Sequence, residues 1–323
     1  MKNITYILGI MVFLLMACGS VPASRPNLTY YVNAYGNDNN NGTTEDAPFK
    51  TLQKAIEMAS VTSIKKITVI GTIQGNTTTE NITPVTSRRI VKVMDGRSSG
   101  NLSPIQFGIA LLDGSYDAHH PGEILITGKP DATTEEKAVL TNSGIILEVL
   151  NHVIRLEYLE ITGSNECAIL VARGDLTLGR GVKVTKNKVH GIYIHRGFLI
   201  MRDDAEVSYN EGVDNVGIYL ENGSVGILLN NSAVTYNVAS NNGGGIALSG
   251  STLIMRNNST VSNNTAGNGG GGIITYTDNS NSYYRQITIT DNAKITNNTA
   301  KLGGGILLQN RLILQGFAQI TNN

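Results

Sequence analysis

The sequence predicts an all-β chain wound into a right-handed parallel β-helix, three strands per coil, with a short N-terminal capping helix. Three observations predict it. The 323 residues include 36 Gly and 35 Asn, no Trp and only 15% charged side chains, a mixture that supplies turns between short strands. The 41% of hydrophobic residues suffices to bury a core, which excludes a disordered chain. Finally, one pattern recurs six times from Leu176 onward: apolar, any, apolar, three of any kind, small, any, Val or Ile, Thr or Ser, any, Asn.

The first segment reads as a targeting signal. Met1-Lys2-Asn3 is a short positive start, and Ile4 to Met16 is an apolar run too short to span a bilayer, which takes ~20 residues. It ends in Leu15-Met16-Ala17-Cys18-Gly19-Ser20, which resembles the bacterial lipobox, in which the cysteine becomes the lipid-bearing N-terminus. Residues 1–17 are therefore expected to be a lipoprotein signal peptide, Cys18 the lipidation site and 18–28 a tether. Gly19 is not an acidic retention signal, so outer-membrane or cell-surface sorting is expected. Multiple acyl chains give stable membrane attachment. With Cys18 acylated, Cys167 has no internal partner; its apolar setting reads as a buried small hydrophobe.

Residues 29–66 read as a cap. Tyr30 to Asn33 is a strand, Gly36 to Gly42 an Asn-rich turn, and Phe49 to Ala59 a helix with Leu52, Ala55, Ile56 and Ala59 on one face, covering the first coil. Residues 67–166 read as irregular early coils, with strands at Ile67–Ile70, Ile90–Met94, Ile124–Thr127, Ile145–Val149 and Leu156–Thr162, and a large loop over 95–121.

Residues 167–323 are the regular repeats. The leading apolar pair is Leu176/Leu178, Leu199/Met201, Leu253/Met255, Ile287/Ile289 and Leu312/Leu314, with one departure at Gly226/Leu228. The closing residues are Asn187, Asn210, Asn237, Asn264, Asn298 and Asn323. A Gly-Ile segment precedes most copies: Gly191-Ile192, Gly217-Ile218, Gly245-Ile246 and Gly305-Ile306. Each coil thus holds a Gly-Ile strand, a paired-apolar strand and an Asn strand, each expected to pair with its counterpart one coil away at ~4.8 Å. The Asn side chains are expected to stack as a ladder at one corner, themselves in the left-handed conformation, with the Gly runs supplying positive φ at the opposite corner. The chain stops at Ile320-Thr321-Asn322-Asn323 with no cap after the repeat, which reads as a truncated copy of a longer protein or as an end covered by a partner.

Two stretches resemble known families. Tyr30-Tyr31-Val32-Asn33-Ala34-Tyr35-Gly36-Asn37-Asp38, followed by Gly42-Thr43 and by Pro48-Phe49-Lys50-Thr51-Leu52-Gln53-Lys54-Ala55, resembles the N-terminal segment of pectin-lyase-like right-handed β-helix proteins. The Gly-Gly-Gly-Ile and Val/Ile-Ser/Thr-x-Asn repeats resemble those of bacterial polymorphic outer membrane proteins and spirochaete surface lipoproteins. The resemblance implies the fold; that fold carries lyases, hydrolases, adhesins and passive spacers alike.

The sequence shows no stacked catalytic column. His195, Glu221, Ser249, Tyr276 and Gln309 occupy one outward position of the Gly-Ile strands, and Lys186, Tyr209, Tyr236, Asn263, Asn297 and Asn322 precede the closing Asn. Neither series sets two carboxylates in neighbouring coils, as a calcium-assisted elimination or a paired-carboxylate hydrolysis requires. No metal or cofactor is implied: Asn37 to Gly42 lacks the acids of a calcium loop at both ends, Asp113, Asp117, His119 and His120 read as a solvated loop, and Arg202-Asp203-Asp204 as a corner turn. Zero net charge excludes nucleic acid as a partner. Candidate binding residues are Tyr276, Tyr283, Tyr284 and Arg285 on the longest corner insertion, and Tyr209 with Tyr236, expected to stack in adjacent coils. Tyr193 and Tyr219 should also stack, and Phe198, Ile200, Val225, Ile227 and Ile254 form an outward apolar stripe, either a partner surface or covered. The expectation is a membrane-anchored bacterial surface or periplasmic lipoprotein acting as an adhesin-like binding module, for a glycan or a cell-surface protein, or as structure. The alternatives are a polysaccharide lyase or glycoside hydrolase, or the truncated copy.

Overall fold

The computed structural model describes residues 28–75, 77–78, 123–134, 136–276 and 285–323, with the backbone alone of 91–92 and 98–99. The chain is a parallel β-helix. Its paired-apolar strands form a ten-stranded sheet from Thr29–Asn33 to Arg311–Leu314, its Asn strands a nine-stranded sheet, and its Gly-Ile strands an eight-stranded sheet. All pairings within these sheets are parallel and in the register of the repeat: Leu176 lies against Leu199, Val184 against Val207 and Ile192 against Ile218. Strands this short cannot close a sheet with their sequence neighbours, so each finds its backbone partners in the coils on either side.

The inward positions make one continuous apolar core, in which Leu176, Leu178, Val184, Ile192, Leu199, Met201 and Val207 are fully buried. The Gly226 departure is filled from within: Leu220 and Leu253 close over it. Near the N-terminus the helix α1 (Leu52–Val61) starts three residues later than the expected Phe49 and ends two after Ala59; Thr51 caps it by accepting from the Lys54 amide. Leu52, Ala55, Ile56 and Ala59 are its buried face, as the pattern requires. The Asn-rich turn before it is held by Asp38, which accepts from the Lys50 and Thr51 amides and the Thr51 hydroxyl at 2.8–2.9 Å.

Several local expectations are corrected. Leu156–Thr162 is not one strand: Tyr158, at φ 51°, turns the corner between Val153–Glu157 and Leu159–Thr162. Val91–Lys92 joins no coil and pairs antiparallel with Ser98–Ser99. The rest of 79–122 lies outside the described residues, including Asp113, Asp117, His119 and His120, as do residues 1–27 with Cys18. Three successive coils also carry a fourth element: Glu211–Gly212, Val238–Ala239 and Thr265–Ala266 form a small three-stranded parallel sheet after the Asn ladder, over a separate core of Val216, Ala239 and Ala266.

The Asn ladder is continuous. The Nδ2 of Asn187, Asn210, Asn237, Asn264 and Asn298 each donates to the Oδ1 of the next at 2.9–3.0 Å, ending on Asn323. The second amide proton goes to a core-strand carbonyl in the coil before, as from Asn237 to Val207 at 3.0 Å. The Oδ1 of Asn210, Asn237, Asn264 and Asn298 also accepts the neighbouring backbone amide, so these buried side chains use their whole hydrogen-bonding capacity. Ser164, whose backbone amide donates to Asn187, begins the series one coil earlier.

Two expectations about the corners are overturned. The ladder Asn are not the left-handed residues; that conformation falls on the residue before each, Lys186, Tyr209, Tyr236, Asn263, Asn297 and Asn322, at φ 53–58°. The turn has to be made before the Asn so that its side chain points into the coil. The Gly of each Gly-Ile strand likewise sits not at the opposite corner but against the ladder, with Gly191, Gly217 and Gly245 facing the amides of Asn210, Asn237 and Asn264. Within the Gly runs only Gly243, Gly270 and Gly303, each two residues before the Gly of the Gly-Ile strand, take a positive φ.

Candidate functional site

The binding residues read from the sequence separate in space. Tyr209 and Tyr236 stack with ring centroids 5.0 Å apart and planes 5° off parallel, both about half exposed. Tyr283 and Tyr284 lie outside the described residues, and Arg285 is part-buried at the start of the Gln286–Ile289 strand. Tyr276 belongs elsewhere, with the Gly-Ile sheet. The apolar stripe does face outward in register, from Ile200 through Ile227 to Ile254, yet it is no exposed surface: Val225 is 0%, Ile227 1% and Ile254 7% accessible.

The convergence that does form is on the outward face of the Gly-Ile sheet. Register places Tyr193 beside Tyr219 in one column and His195, Glu221, Ser249 and Tyr276 in the next. Tyr193 and Tyr219 stack at 5.1 Å and 14°. The Glu221 carboxylate accepts from the Tyr193 hydroxyl and lies 3.2 Å from His195 Nδ1. Asn222 adds its amide at 3.3 Å from the same imidazole nitrogen. His190 sits at the foot of the column, 5.9 Å from both Tyr rings, with Nδ1 2.7 Å from the Asn215 carbonyl.

A change in corner length gives this face a wall. Between the ladder Asn and the Gly-Ile Gly, the turn is 188–190 in one coil, 211–216 in the next and 238–244 after that. The longer turns fold over the sheet: glycines at 243, 269 and 270 rest on Ile274, which the wall leaves buried. Asp214 ties successive turns together, accepting from the Asn241 side chain at 2.9 Å and the Asn242 backbone at 3.0 Å. Tyr276 reaches this wall and donates to Asn215 Oδ1 at 2.7 Å. Beside His190, Val189 adopts φ 64°, an unfavourable conformation for a β-branched residue.

The electrostatics follow from partial burial. Burial pushes the Glu221 carboxyl up, but hydrogen bonds from Tyr193 and His195 outweigh it and hold the group below its ordinary value. Burial keeps His190 below the usual imidazole range, despite the Asn215 carbonyl and nearby Asp214. Tyr193 is raised by burial and then by Glu221, and Tyr276 is pushed up to about 12 by burial and then by Asp214. Near neutral pH the face therefore presents an ionised carboxylate, neutral phenols and a neutral His190.

Although His195, Glu221 and Ser249 stand in one column, they do not make a nucleophilic triad. That chemistry needs the imidazole between hydroxyl and carboxylate, whereas here Glu221 lies between the other two. No strand pairing among the described residues sets one carboxylate opposite another; the acidic positions face Lys, Thr, Ala, Val, Phe, Leu, Ser or His. Among the described residues no group of three or more His, Cys, Asp or Glu is placed to hold a metal, and no helix is long and apolar enough to cross a membrane. Cys167 is part-buried rather than fully buried; its thiol donates to the Ile169 carbonyl at 3.1 Å, and burial raises it to about 12, far from a nucleophile at neutral pH. No protein-family model, curated protein or solved structure matches this chain.

Proposed function

We propose that this chain is a bacterial surface or periplasmic lipoprotein, held to the membrane through acylated Cys18, whose β-helix serves as a binding module. One observation carries the binding reading: aromatic, carboxylate and imidazole groups converge on a single outer face. A glycan or cell-surface protein is the partner class such a face serves. The apolar run ending at Ala17-Cys18 supports the anchor. Labelled palmitate entering the wild type and not a Cys18→Ala variant tests the anchor; equal labelling of both removes it. An array of glycans and matrix proteins tests the module; a chain that retains nothing on it leaves a structural role.

Polysaccharide cleavage is the second reading, favoured by the Tyr193–Glu221–His195 contact, which joins groups able to move a proton. New reducing ends or unsaturated products after incubation with a panel of glycans would establish it.

A further inference from the structure

We infer that the walled face around Glu221 is a binding site for a neutral glycan, a pyranose laid along Tyr193, Tyr219 and Tyr276. The inference rests on the binding-module reading and gives it a place and a ligand chemistry.

A pyranose offers an apolar face of C–H groups and a rim of hydroxyls, so its site needs aromatic carbon beside paired hydrogen-bond acceptors and donors. The Gly-Ile face supplies both within four coils. Tyr193 and Tyr219 are part-exposed and stacked, and Tyr276 lies two coils above Tyr219 with its hydroxyl anchored on Asn215. The Tyr193 and Tyr276 hydroxyls are spent on protein partners, which orients those rings and leaves outer ring carbon for the ligand.

The acceptors are Glu221 and Asp214 on opposite flanks of this strip. A carboxylate has about four lone-pair sites, so Glu221 retains capacity after Tyr193 and His195. Asn222, Asn241 and Asn242 are the amide donors beside them. Neutral hydroxyls suit this set better than a charged ligand. The Glu221 charge is already met by hydrogen bonds from Tyr193 and His195, which leaves no bare anion to recruit a cation. An acidic sugar would set its carboxylate against Glu221 and Asp214. A protein partner would seek an apolar patch, and the in-register apolar stripe of Ile200, Val225, Ile227 and Ile254 is buried.

The strain is placed where a site would need it. Left-handed Val189 lifts His190 beneath Asn215 and against both Tyr rings, at the step where the short turn gives way to the wall.

The test uses the full chain and neutral hexasaccharides: β-1,4- and β-1,3-linked glucose, α-1,4-linked glucose and β-1,4-linked mannose. Titration calorimetry reads binding, and saturation transfer from tyrosine protons reads contact. At least one probe is expected to bind, with tenfold or greater loss in Tyr219→Ala and in Glu221→Gln, and no change in Tyr35→Ala, an exposed tyrosine of the N-terminal cap. Denaturation midpoints show that each variant is folded; should Tyr219→Ala unfold, Glu221→Gln and the saturation transfer carry the result. Failure of every neutral probe overturns the inference, and a parallel panel of acidic glycans and matrix proteins then shows whether the binding-module reading falls with it. Binding that survives both site variants overturns the location while that reading stands.

Discussion

The side-chain amide of Asn237 occupies the space into which a side chain on Gly217 would grow. A Cβ at Gly217 would stand 3.1 Å from Asn237 Nδ2 and 2.3 Å from the Gly245 carbonyl oxygen. Glycine and asparagine in the repeat are therefore one device: the ladder is buried only because the next strand begins with no side chain. Gly217→Ala is expected to destabilise the protein by about 1–3 kcal/mol through overpacking. Asn237→Leu should cost about 1–3 kcal/mol for each buried group it leaves unpaired. Urea unfolding at the wild-type midpoint in either variant would show that the corner bears no such strain.

The left-handed position before each ladder Asn carries Lys186, Tyr209 and Tyr236 as well as three Asn. For an ordinary residue that backbone costs roughly 1–2 kcal/mol, less for Asn. Tyr209 and Tyr236 recover about 0.5–1.5 kcal/mol by stacking, whereas Lys186 has no ring to stack. Lys186→Asn should raise stability by up to about 1 kcal/mol, and Tyr236→Asn should bring no comparable gain. Thermal midpoints of the two variants decide it; a stabilised Tyr236→Asn would mean that the stack contributes nothing.

Inside the core, Ser232 and Ser259 occupy the small position that Ala205 and Ala293 fill in neighbouring coils, and their hydroxyls are buried without a hydrogen-bond partner among the described residues. Removing an unsatisfied hydroxyl relieves its desolvation, so Ser232→Ala and Ser259→Ala are each expected to be neutral or stabilising by about 1 kcal/mol. A loss of stability on calorimetric melting would reveal a partner for these hydroxyls.

The coils were legible because an inward ladder constrains residue type and spacing together: from Leu176 to Asn187 every position has one neighbour above and one below, and a slip would bury Lys183. Asn is the usual occupant of the left-handed conformation, yet here its amide is worth more inside the coil than its backbone tolerance is at the turn, so the left-handed residue is the one before it. The columns of Tyr193/Tyr219 and His195/Glu221/Ser249/Tyr276 were also legible. Their assembly into a site was not, because the wall comes from turns of unequal length whose Gly residues fold back over the sheet, and such turns carry no periodic signal. A search for paired carboxylates passes over a site in which one carboxylate is served by tyrosines and an imidazole.

Two groups on that face make stability fall with acid in separable steps. Burial lowers the folded-state pKa of His190 below its ordinary 6.5, so protons prefer the unfolded chain, and stability present above pH 6.5 is lost as pH falls through the folded value. Glu221 is held below its ordinary 4.5, so its contribution is present above pH 4.5 and is lost as pH drops further. Urea midpoints at pH 7.5, 5.5 and 3.5 should therefore decline in both intervals. His190→Gln should flatten the upper interval, and Glu221→Gln the lower one. The comparison is between slopes, so a uniform loss from a weakened contact does not mimic it. An upper-interval slope unchanged in His190→Gln would mean that the imidazole is as freely protonated beneath Asn215 as in the unfolded chain.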